Sequence, residues 1–214
     1  MAWFSYNGNV ETRLARKGQI IYLLYIHKMK YFPKISRGNI YLSPINPEDY
    51  ELRTKWVNDS RITDGVNQTK AIMSINKEKE FLEKYSKDSD STKAFAIVNK
   101  ENDKMLWIVD LWDINHIDQV ARLGISIWDV EEHNKWYGTD AINAILLFWF
   151  YTLNLRNIDL HVFSFNKWAI RCYQKVWFKE YGRRKDMHYC NWKFRDEIYM
   201  DITKTGREIR NKKD

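Results

Sequence analysis

The sequence predicts an α/β domain with a mixed, mostly antiparallel central sheet and helices on both of its faces. Short apolar or alternating runs typical of strands recur along most of the chain, and helical periodicity interrupts them. Only the segment from the strand at 120–128 to the strand at 158–165 is typical of the strand–helix–strand unit of a parallel pair. No internal repeat is present, and 214 residues with 44% apolar side chains suit one domain with a sizeable core.

The first half of the chain supplies three strands and two helices. Ile40-Tyr41-Leu42 alternates as a strand does, and Pro47 is a favourable first-turn residue for a helix over 48–57. The spacing of Leu82 and Tyr85 predicts a second helix over 75–85. Strands over 94–98 and 105–111 follow, separated by a polar turn.

The second half contains the parallel unit. A strand over 120–128 leads into a helix over 139–155, whose apolar face we expect in the core. The remaining predicted elements are a strand over 158–165, a helix over 167–176, and strands over 181–190 and 194–202.

The net charge of +7 is confined to the ends of the chain. Residues 1–38 hold seven Lys and Arg against one acid, and residues 204–214 hold five against two, whereas residues 39–203 hold 23 against 25. We therefore divide the chain into a basic N-terminal extension (1–38), a domain (39–203) and a basic C-terminal tail (204–214). Residues 1–28 are expected to be dispensable, and a nucleic-acid partner is not predicted for the domain.

No membrane crossing is predicted, because the apolar run Ile20 to Ile26 is far shorter than the roughly 20 residues that a spanning helix needs. A basic flank precedes this run, as in a signal peptide, but no small-residue cleavage site follows it. Cys172 and Cys190 lack redox or metal spacing, and the five histidines lack ligand spacing. We therefore predict a reducing, cytoplasmic location and no metal site.

The most informative segment is the polar turn over 132–141, EHNKWYGTDA, which follows a strand and opens into the apolar helix. Free N–H groups and the positive dipole end at a helix start attract an anion, so this order predicts a phosphate site. The spacing resembles the pyrophosphate loop of the GNAT acyl-CoA N-acetyltransferases. In that loop, a basic or polar residue, a glycine and a second glycine stand where this chain has His133, Trp136 and Gly138.

A second segment strengthens the resemblance. Residues 163–178, FSFNKWAIRCYQKVWF, closely resemble another signature of the family, and the order of elements matches from about Ile40 to Thr203. The chain most resembles the branch that acetylates ribosomal-protein N-termini and small amines. The resemblance implies the GNAT fold and an acyltransferase that moves the acetyl group of acetyl-CoA to a primary amine or a protein N-terminus, as a monomer or homodimer.

The resemblance also implies a site. Ile125 and Ile127 would hold the pantetheine arm, with a backbone N–H there polarising the acetyl carbonyl. Asn166 matches a cofactor contact, and Tyr173 matches the general acid that protonates the CoA thiolate. The residues of the pyrophosphate turn are His133, Asn134, Lys135, Trp136, Tyr137, Gly138 and Thr139. Without the resemblance, Asn166 would be an N-cap and Tyr173 a packed helix residue.

The general base is left open. Family members often carry Glu near the beginning of the donor strand, where this sequence has Arg122, which cannot accept a proton. Asp110, Asp113 and His116 are the nearest alternatives, acting directly or through water. Arg122 and Trp136 also favour a second interpretation, a non-catalytic acyl-CoA-binding or regulatory module of the same fold. A third is a ribosome- or RNA-associated protein that uses its basic ends.

Ten tryptophans against eight glycines is an unusual ratio. A left-handed non-glycine residue costs about 1–2 kcal/mol, and three tryptophans stand at a helix end, a hairpin turn and the phosphate turn, where backbone geometry favours glycine. Two more stand at strand positions where members of the resembled family usually have glycine. The five are Trp177, Trp192, Trp136, Trp107 and Trp128. We hypothesise that these positions are glycine in the natural protein, as would follow if UGA codons were translated with the wrong genetic code. A diverged, inactive family member is the alternative.

Overall fold

The computed structural model describes residues 29–63, 72–125, 137–190 and 192–206. The α-helices are α1 (Tyr50–Val57), α2 (Ser60–Thr63), α3 (Ile75–Tyr85), α4 (Tyr137–Tyr151) and α5 (Lys167–Lys175), and a short 3-10 helix covers Pro47–Asp49. The strands are β1 (Ile35–Arg37), β2 (Ile40–Ser43), β3 (Lys93–Asn99), β4 (Met105–Asn115), β5 (Val120–Ile125), β6 (Asn157–Phe163), β7 (Lys179–Cys190) and β8 (Lys193–Thr203).

These strands form one sheet in the order β1-β2-β3-β4-β5-β6-β8-β7. Neighbouring strands are antiparallel except β5 and β6, which are parallel and flank α4 in the chain. Two apolar clusters cover the sheet. Leu106 of β4 belongs to the cluster that contains α4 and α5, and Trp107 belongs to the cluster that contains α1 and α3. The predicted fold class, a mixed and mostly antiparallel sheet with helices on both faces, is confirmed.

The predicted helices and strands are present, most of them with shifted ends. The helix predicted over 75–85 is α3 residue for residue, and Ser74 caps it by accepting a hydrogen bond from the Lys77 N–H. Helix α4 begins two residues before its predicted start and ends at Tyr151 rather than at 155. Its last turn closes there because Asn154 adopts a left-handed φ of 53°. The buried side chains of α4 confirm that it is a core helix.

The described N-terminal residues belong to the sheet, although residues 1–38 are predicted as an extension. Strand β1 pairs with β2 from Ile35 opposite Leu42 to Arg37 opposite Ile40. Tyr31 is 4% exposed, and its hydroxyl donates to the buried Asp49 carboxylate at 2.9 Å. The sheet therefore begins before the predicted domain boundary at residue 39, because a three-residue strand is too short for its periodicity to be recognised. Residues 1–28 and 207–214 lie outside the described residues.

Two tryptophans occupy left-handed backbone positions. Trp177 has a φ of 76° and Trp192 a φ of 60°, the conformation that glycine adopts without steric cost. The other described non-glycine residues with positive φ are Gln119, Asn154 and three aspartates, and Asn and Asp tolerate this region. Trp107 differs, because it is buried in β4 with its ring 5.2 Å from that of Trp56. Trp128 and Trp136 lie outside the described residues.

Both cysteines are free thiols, Cys172 buried and Cys190 partly exposed. In the described ranges, no three His, Cys, Asp or Glu side chains are grouped so as to hold a metal ion. No helix within those ranges is both long enough and apolar enough to cross a membrane.

Candidate active site

The parallel strands β5 and β6 separate partway along their length. They are paired at three positions, from Val120 opposite Asn157 to Arg122 opposite Asp159. Beyond this point β5 continues against β4 as far as Ile125, and β6 continues against β8 as far as Phe163. We call the gap between residues 123–125 of β5 and residues 160–163 of β6 the wedge. Backbone groups on its two sides are not used for pairing between these strands, so they can bond an extended ligand.

Helix α4 starts after the chain leaves β5. Its first residues, Tyr137 and Gly138, are buried, and the Tyr137 hydroxyl accepts a hydrogen bond from the Asn99 amide at 3.1 Å. This contact fixes the start of α4 against β3. A helix start held in this way presents its first N–H groups and its positive dipole end to an anion. The other predicted turn residues, His133, Asn134, Lys135 and Trp136, lie outside the described residues, as does Ile127.

Helix α5 brings Tyr173 close to the start of α4. The Thr139 hydroxyl lies 3.5 Å from the Cys172 sulfur, so the residue next to Tyr173 touches the first turn of α4. Tyr173 is 7% exposed and packs with its ring centroid 5.9 Å from that of Phe178. Burial, with the neighbouring Cys172, raises the pKa of the Tyr173 phenol well above its ordinary value. The hydroxyl therefore stays protonated and can act as a donor.

Asn166 is the N-cap of α5. Its side-chain oxygen accepts a hydrogen bond from the Ala169 N–H at 3.1 Å. This bond satisfies one of the free donors at the helix start, which is the structural role expected for Asn in this position. The predicted contact between Asn166 and a cofactor stays a prediction.

Arg122 holds the closed end of the wedge. Its guanidinium donates two hydrogen bonds to the Asp159 carboxylate, at 3.0 and 3.2 Å, and lies 4.9 Å from the centre of the Trp112 ring. These bonds with Asp159 raise the pKa of Arg122. A permanently charged, doubly bonded guanidinium cannot be a general base, as the sequence indicates. Its position at the last paired residues of β5 and β6 gives it a structural role instead.

The three alternatives for the general base, Asp110, Asp113 and His116, lie at different distances from the wedge. Because β4 is antiparallel to β5, Val109 and Asp110 face the open end, whereas Asn115 faces Val120 at the closed end. Asp113 is 69% exposed near this closed end, and His116 lies beyond β4 in the following turn. Asp110 alone of these three is next to the open part of the wedge.

Asp110 lies across from Gly124 of β5. Its carboxylate accepts a hydrogen bond from the Tyr85 hydroxyl of α3 at 3.2 Å. Burial raises the pKa of Asp110 to about 6, although the Tyr85 bond and the charge of Arg53 act in the opposite direction. A carboxylate with this pKa is mostly ionised at neutral pH and is a better proton acceptor than an ordinary aspartate.

A buried ion pair lies beside Asp110, and the site predicted from the sequence does not include it. Arg53 of α1 is paired with Glu78 of α3, and both side chains are largely buried. The guanidinium lies 4.0 Å from the centre of the Phe81 ring and 4.8 Å from that of Trp107. An arginine and a glutamate on the apolar sides of two neighbouring helices are the signal that points to such a pair. Their partnership could be recognised only once both helices pack on the sheet.

One half of the sheet face that carries Asp110 is not covered by helices α1 and α3. We call it the open face. Alternate residues of neighbouring strands place its side chains together, and aromatic contacts join Trp112 to His161 and His161 to Tyr199, with ring centres 6.4 and 6.3 Å apart. Its residues include Asp110, Trp112, Arg122, Asp159, His161, Tyr181, Glu197, Tyr199 and Asp201, and the register of β7 and β8 adds Lys179, Arg184 and Arg195. Its four carboxylates are accompanied by four basic side chains, Arg122, Lys179, Arg184 and Arg195, so the face carries both signs of charge.

A cleft of about 370 Å³ lies at the closed end of the wedge, on the open face. It is lined by residues that include Arg122, Asp159, Tyr181 and Asp201. Because the strands are paired here, the cleft cannot hold the extended part of a ligand that bonds to both strands. It extends the open face rather than the donor side.

Residues 39–179 match the sequence model of a family described as "Acetyltransferase (GNAT) domain". The matched segment is more than half of the chain, and it includes the wedge, α4 and α5. The chain belongs to the GNAT acetyltransferase family. Its predicted family, acyltransferase class and acetyl-CoA co-substrate are therefore confirmed.

Solved structures share the fold of this GNAT chain. Spermidine N-acetyltransferase from Vibrio cholerae, in complex with CoA and spermine, is 24% identical with a TM-score of 0.71, covering 79% of this chain and 98% of that one. A GNAT-family acetyltransferase from Bacillus anthracis is 16% identical with a TM-score of 0.68, covering 79% and 97%. At these identities the likeness shows the fold alone. No curated protein sequence is significantly similar to this chain.

Proposed function

We propose that this GNAT protein transfers the acetyl group of acetyl-CoA to a primary amine of a small, multiply charged cation such as a polyamine. The observation that carries the proposal is the position of the wedge, which has the start of α4 on its donor side and the open face, with Asp110 at its edge, on the other. A protein N-terminus is the second acceptor class.

The donor side suits an extended thioester. Pantetheine can pair with the free edge of β5 around Ile125, in the manner of an added strand, and the pyrophosphate can lie at the start of α4 near Gly138 and Thr139. Tyr173 is held beside this region by the contact between Thr139 and Cys172. Its protonated phenol can supply the proton that the CoA thiolate takes up when the C–S bond breaks.

The acceptor side suits a cation. Asp110 lies at the open end of the wedge, and Asp159, Glu197 and Asp201 continue along the open face. The aromatic rings of Trp112, Tyr181 and Tyr199 lie among these carboxylates and can contact alkylammonium groups. A polyamine carries several ammonium groups along one chain, so it can contact more than one of these carboxylates. The spermidine N-acetyltransferases of the same fold agree with this choice of acceptor.

The test is release of CoA thiol from acetyl-CoA in the presence of a panel of amines: spermidine, spermine, a diamine, an aminoglycoside and peptides with free N-termini. We expect the largest kcat/KM for a polyamine. Each acceptor is tested with the protein as written and with glycine at 136, 177 and 192, because an indole at Trp136 would obstruct the phosphates. Restoring glycine at 136 is expected to tighten CoA binding in calorimetry, and equal affinities would contradict the assigned turn.

Two results would change the proposal. Preference for N-terminal peptides over polyamines would replace the acceptor class. CoA binding without turnover of any amine, in both versions, would favour the non-catalytic acyl-CoA-binding module that Arg122 suggests.

The cytoplasmic location and the monomeric or homodimeric state stay predictions. One solved structure of the same fold is dodecameric, so sedimentation of the purified chain is the measurement that decides the assembly.

A further inference from the structure

Asp110 lies directly against the backbone of the donor strand. A Cβ added at Gly124 would stand 2.1 Å from the Asp110 Oδ1 atom, so the glycine provides the space that the carboxylate fills. Gly124 immediately precedes Ile125, where β5 has already separated from β6. The carboxylate is therefore at the edge of the wedge rather than deep under the helices.

The orientation of the carboxylate is set from the other side. Tyr85 donates to Oδ2, and its ring stacks on that of Phe81 with centres 4.2 Å apart. Oδ1 is thus the oxygen that lies over Gly124, toward the wedge. A rigid aromatic stack supports the hydrogen bond, so the carboxylate has one preferred orientation.

The charged groups that face Asp110 come from two helices. Arg53 of α1 is bonded to Glu78 of α3, and two aromatic rings enclose its guanidinium. Tyr85 of α3 supplies a neutral donor. Arg53 lowers the pKa of Asp110 through its charge, but burial has the larger effect and raises it. The group stays a basic carboxylate because the arginine beside it already has a partner.

We propose that Asp110 is the general base of the acetyl transfer and takes a proton from the ammonium group of the acceptor amine. The inference rests on the proposed function, since it requires an amine acceptor. The freed nitrogen lone pair forms the C–N bond with the acetyl carbon, and the C–S bond breaks with its electron pair left on sulfur. Tyr173 protonates that thiolate and is reprotonated by the second proton of the nitrogen. The proton on Asp110 leaves to solvent, so one proton is released per turnover.

Asp110→Asn tests this role, with Asp88→Asn as the control, because Asp88 is 85% exposed and pairs with Lys93. The expected result is a fall of about 10² to 10⁴ in kcat/KM for the amine at about pH 7, with unchanged CoA affinity, while Asp88→Asn stays within about threefold of the parent. For the parent, kcat/KM should rise as Asp110 ionises near its pKa of about 6 and then level off. In Asp110→Asn it should keep rising toward the pKa of the amine, because only the free amine reacts.

An acceptor that is already neutral provides the second readout. With an amine whose own pKa is below about 6, no ammonium proton has to be removed, so the defect of Asp110→Asn should shrink at least about tenfold. A merely structural role would give the same defect with both acceptors. Retention of activity by Asp110→Asn within about threefold, or an equal defect with both amines, would overturn the inference while leaving the proposed function intact. A parent protein without turnover would instead overturn the proposed function, and the inference with it.

Folding of the variant is checked by thermal unfolding at two pH values. The raised pKa means that the folded state prefers the neutral form of Asp110, so this contribution to stability is present below about pH 4 and is lost as the pH rises through about 6. Asp110→Asn should therefore unfold at the same temperature as the parent near pH 4 and at a higher temperature near pH 8. An unfolding temperature lowered at both pH values would contradict the position of Asp110 described above.

Discussion

Arg122 and Asp159 form a doubly hydrogen-bonded ion pair at the last position where β5 and β6 are paired. The next residues of both strands border the wedge, so this pair marks its vertex. The resemblance predicts a glutamate base at the position of Arg122, and the structure gives Arg122 an ion pair with Asp159 instead.

Arg122→Gln should weaken this vertex. The variant loses the charge-assisted bonds to a carboxylate that is largely buried, so we expect unfolding to become easier by about 1–2 kcal/mol and CoA to bind less tightly. Chemical denaturation and calorimetry measure the two effects. Arg183→Gln is the control, because Arg183 pairs with Glu180 and Asp196 on the exposed β7–β8 surface, where ion pairs contribute less than about 1 kcal/mol. Equal losses in the two variants would show that the vertex has no special role.

Gly124→Ala should displace the Asp110 carboxylate without altering its chemistry. The new Cβ would overlap Oδ1, so the side chain must rotate away from the wedge and loosen its bond to Tyr85. We expect kcat/KM for the amine to fall by at least about tenfold, with a smaller change in the acetyl-CoA KM. Gly182→Ala serves as the control, since a Cβ there meets no atom closer than 3.9 Å. Unchanged kinetics in Gly124→Ala would mean that the position of Oδ1 is not important.

Tyr173→Phe keeps the buried ring and removes the hydroxyl. Because a general acid contributes typically 10² to 10⁴-fold, kcat should fall by about this factor while the acetyl-CoA KM changes little. Steady-state kinetics in the glycine-restored protein provide the measurement. A kcat within about threefold of the parent would leave Tyr173 as a packing residue and require that water or the amine protonates the thiolate.

At position 192, glycine should make the folded protein more stable than alanine does. Both substitutions remove an indole that is 89% exposed, but alanine keeps a Cβ at a φ of 60°. We expect Trp192→Gly to be more stable than Trp192→Ala by about 1 kcal/mol in denaturant unfolding, and the same order at Trp177. A more stable alanine variant would remove the backbone argument for glycine. UGG codons at 136, 177 and 192 would independently exclude the decoding hypothesis.

Two N-terminal truncations should behave differently. Deletion of residues 1–28 is expected to leave folding and CoA binding nearly unchanged. Deletion of residues 1–38 also removes β1 and the phenol that bonds the buried Asp49, so it should destabilise the protein by about 2 kcal/mol or more. Tyr31→Phe separates the lost hydrogen bond from the lost strand. A first truncation that no longer folds would show that Ile20 to Ile26 is an integral element.

The sequence by itself determined the order of elements, the core helix α4 and the family. These features depend on local spacing: apolar periodicity predicts a helix or a strand, and Ser74 and Asn166 mark helix starts. The two left-handed tryptophans belong here as well, because chain reversal after a helix or within a hairpin is a local event.

The tertiary structure alone distinguished Asp110 from Asp113 and His116. The three residues lie within seven positions of one another, and their residue types do not separate them. Only the antiparallel register of β4 on β5 places Asp110 against Gly124, and only the packing of α3 brings Tyr85 to its carboxylate. Burial and the hydrogen bond from Tyr85 then affect the pKa of Asp110. Both depend on residues that are distant in the chain, so no local sequence pattern could have specified them.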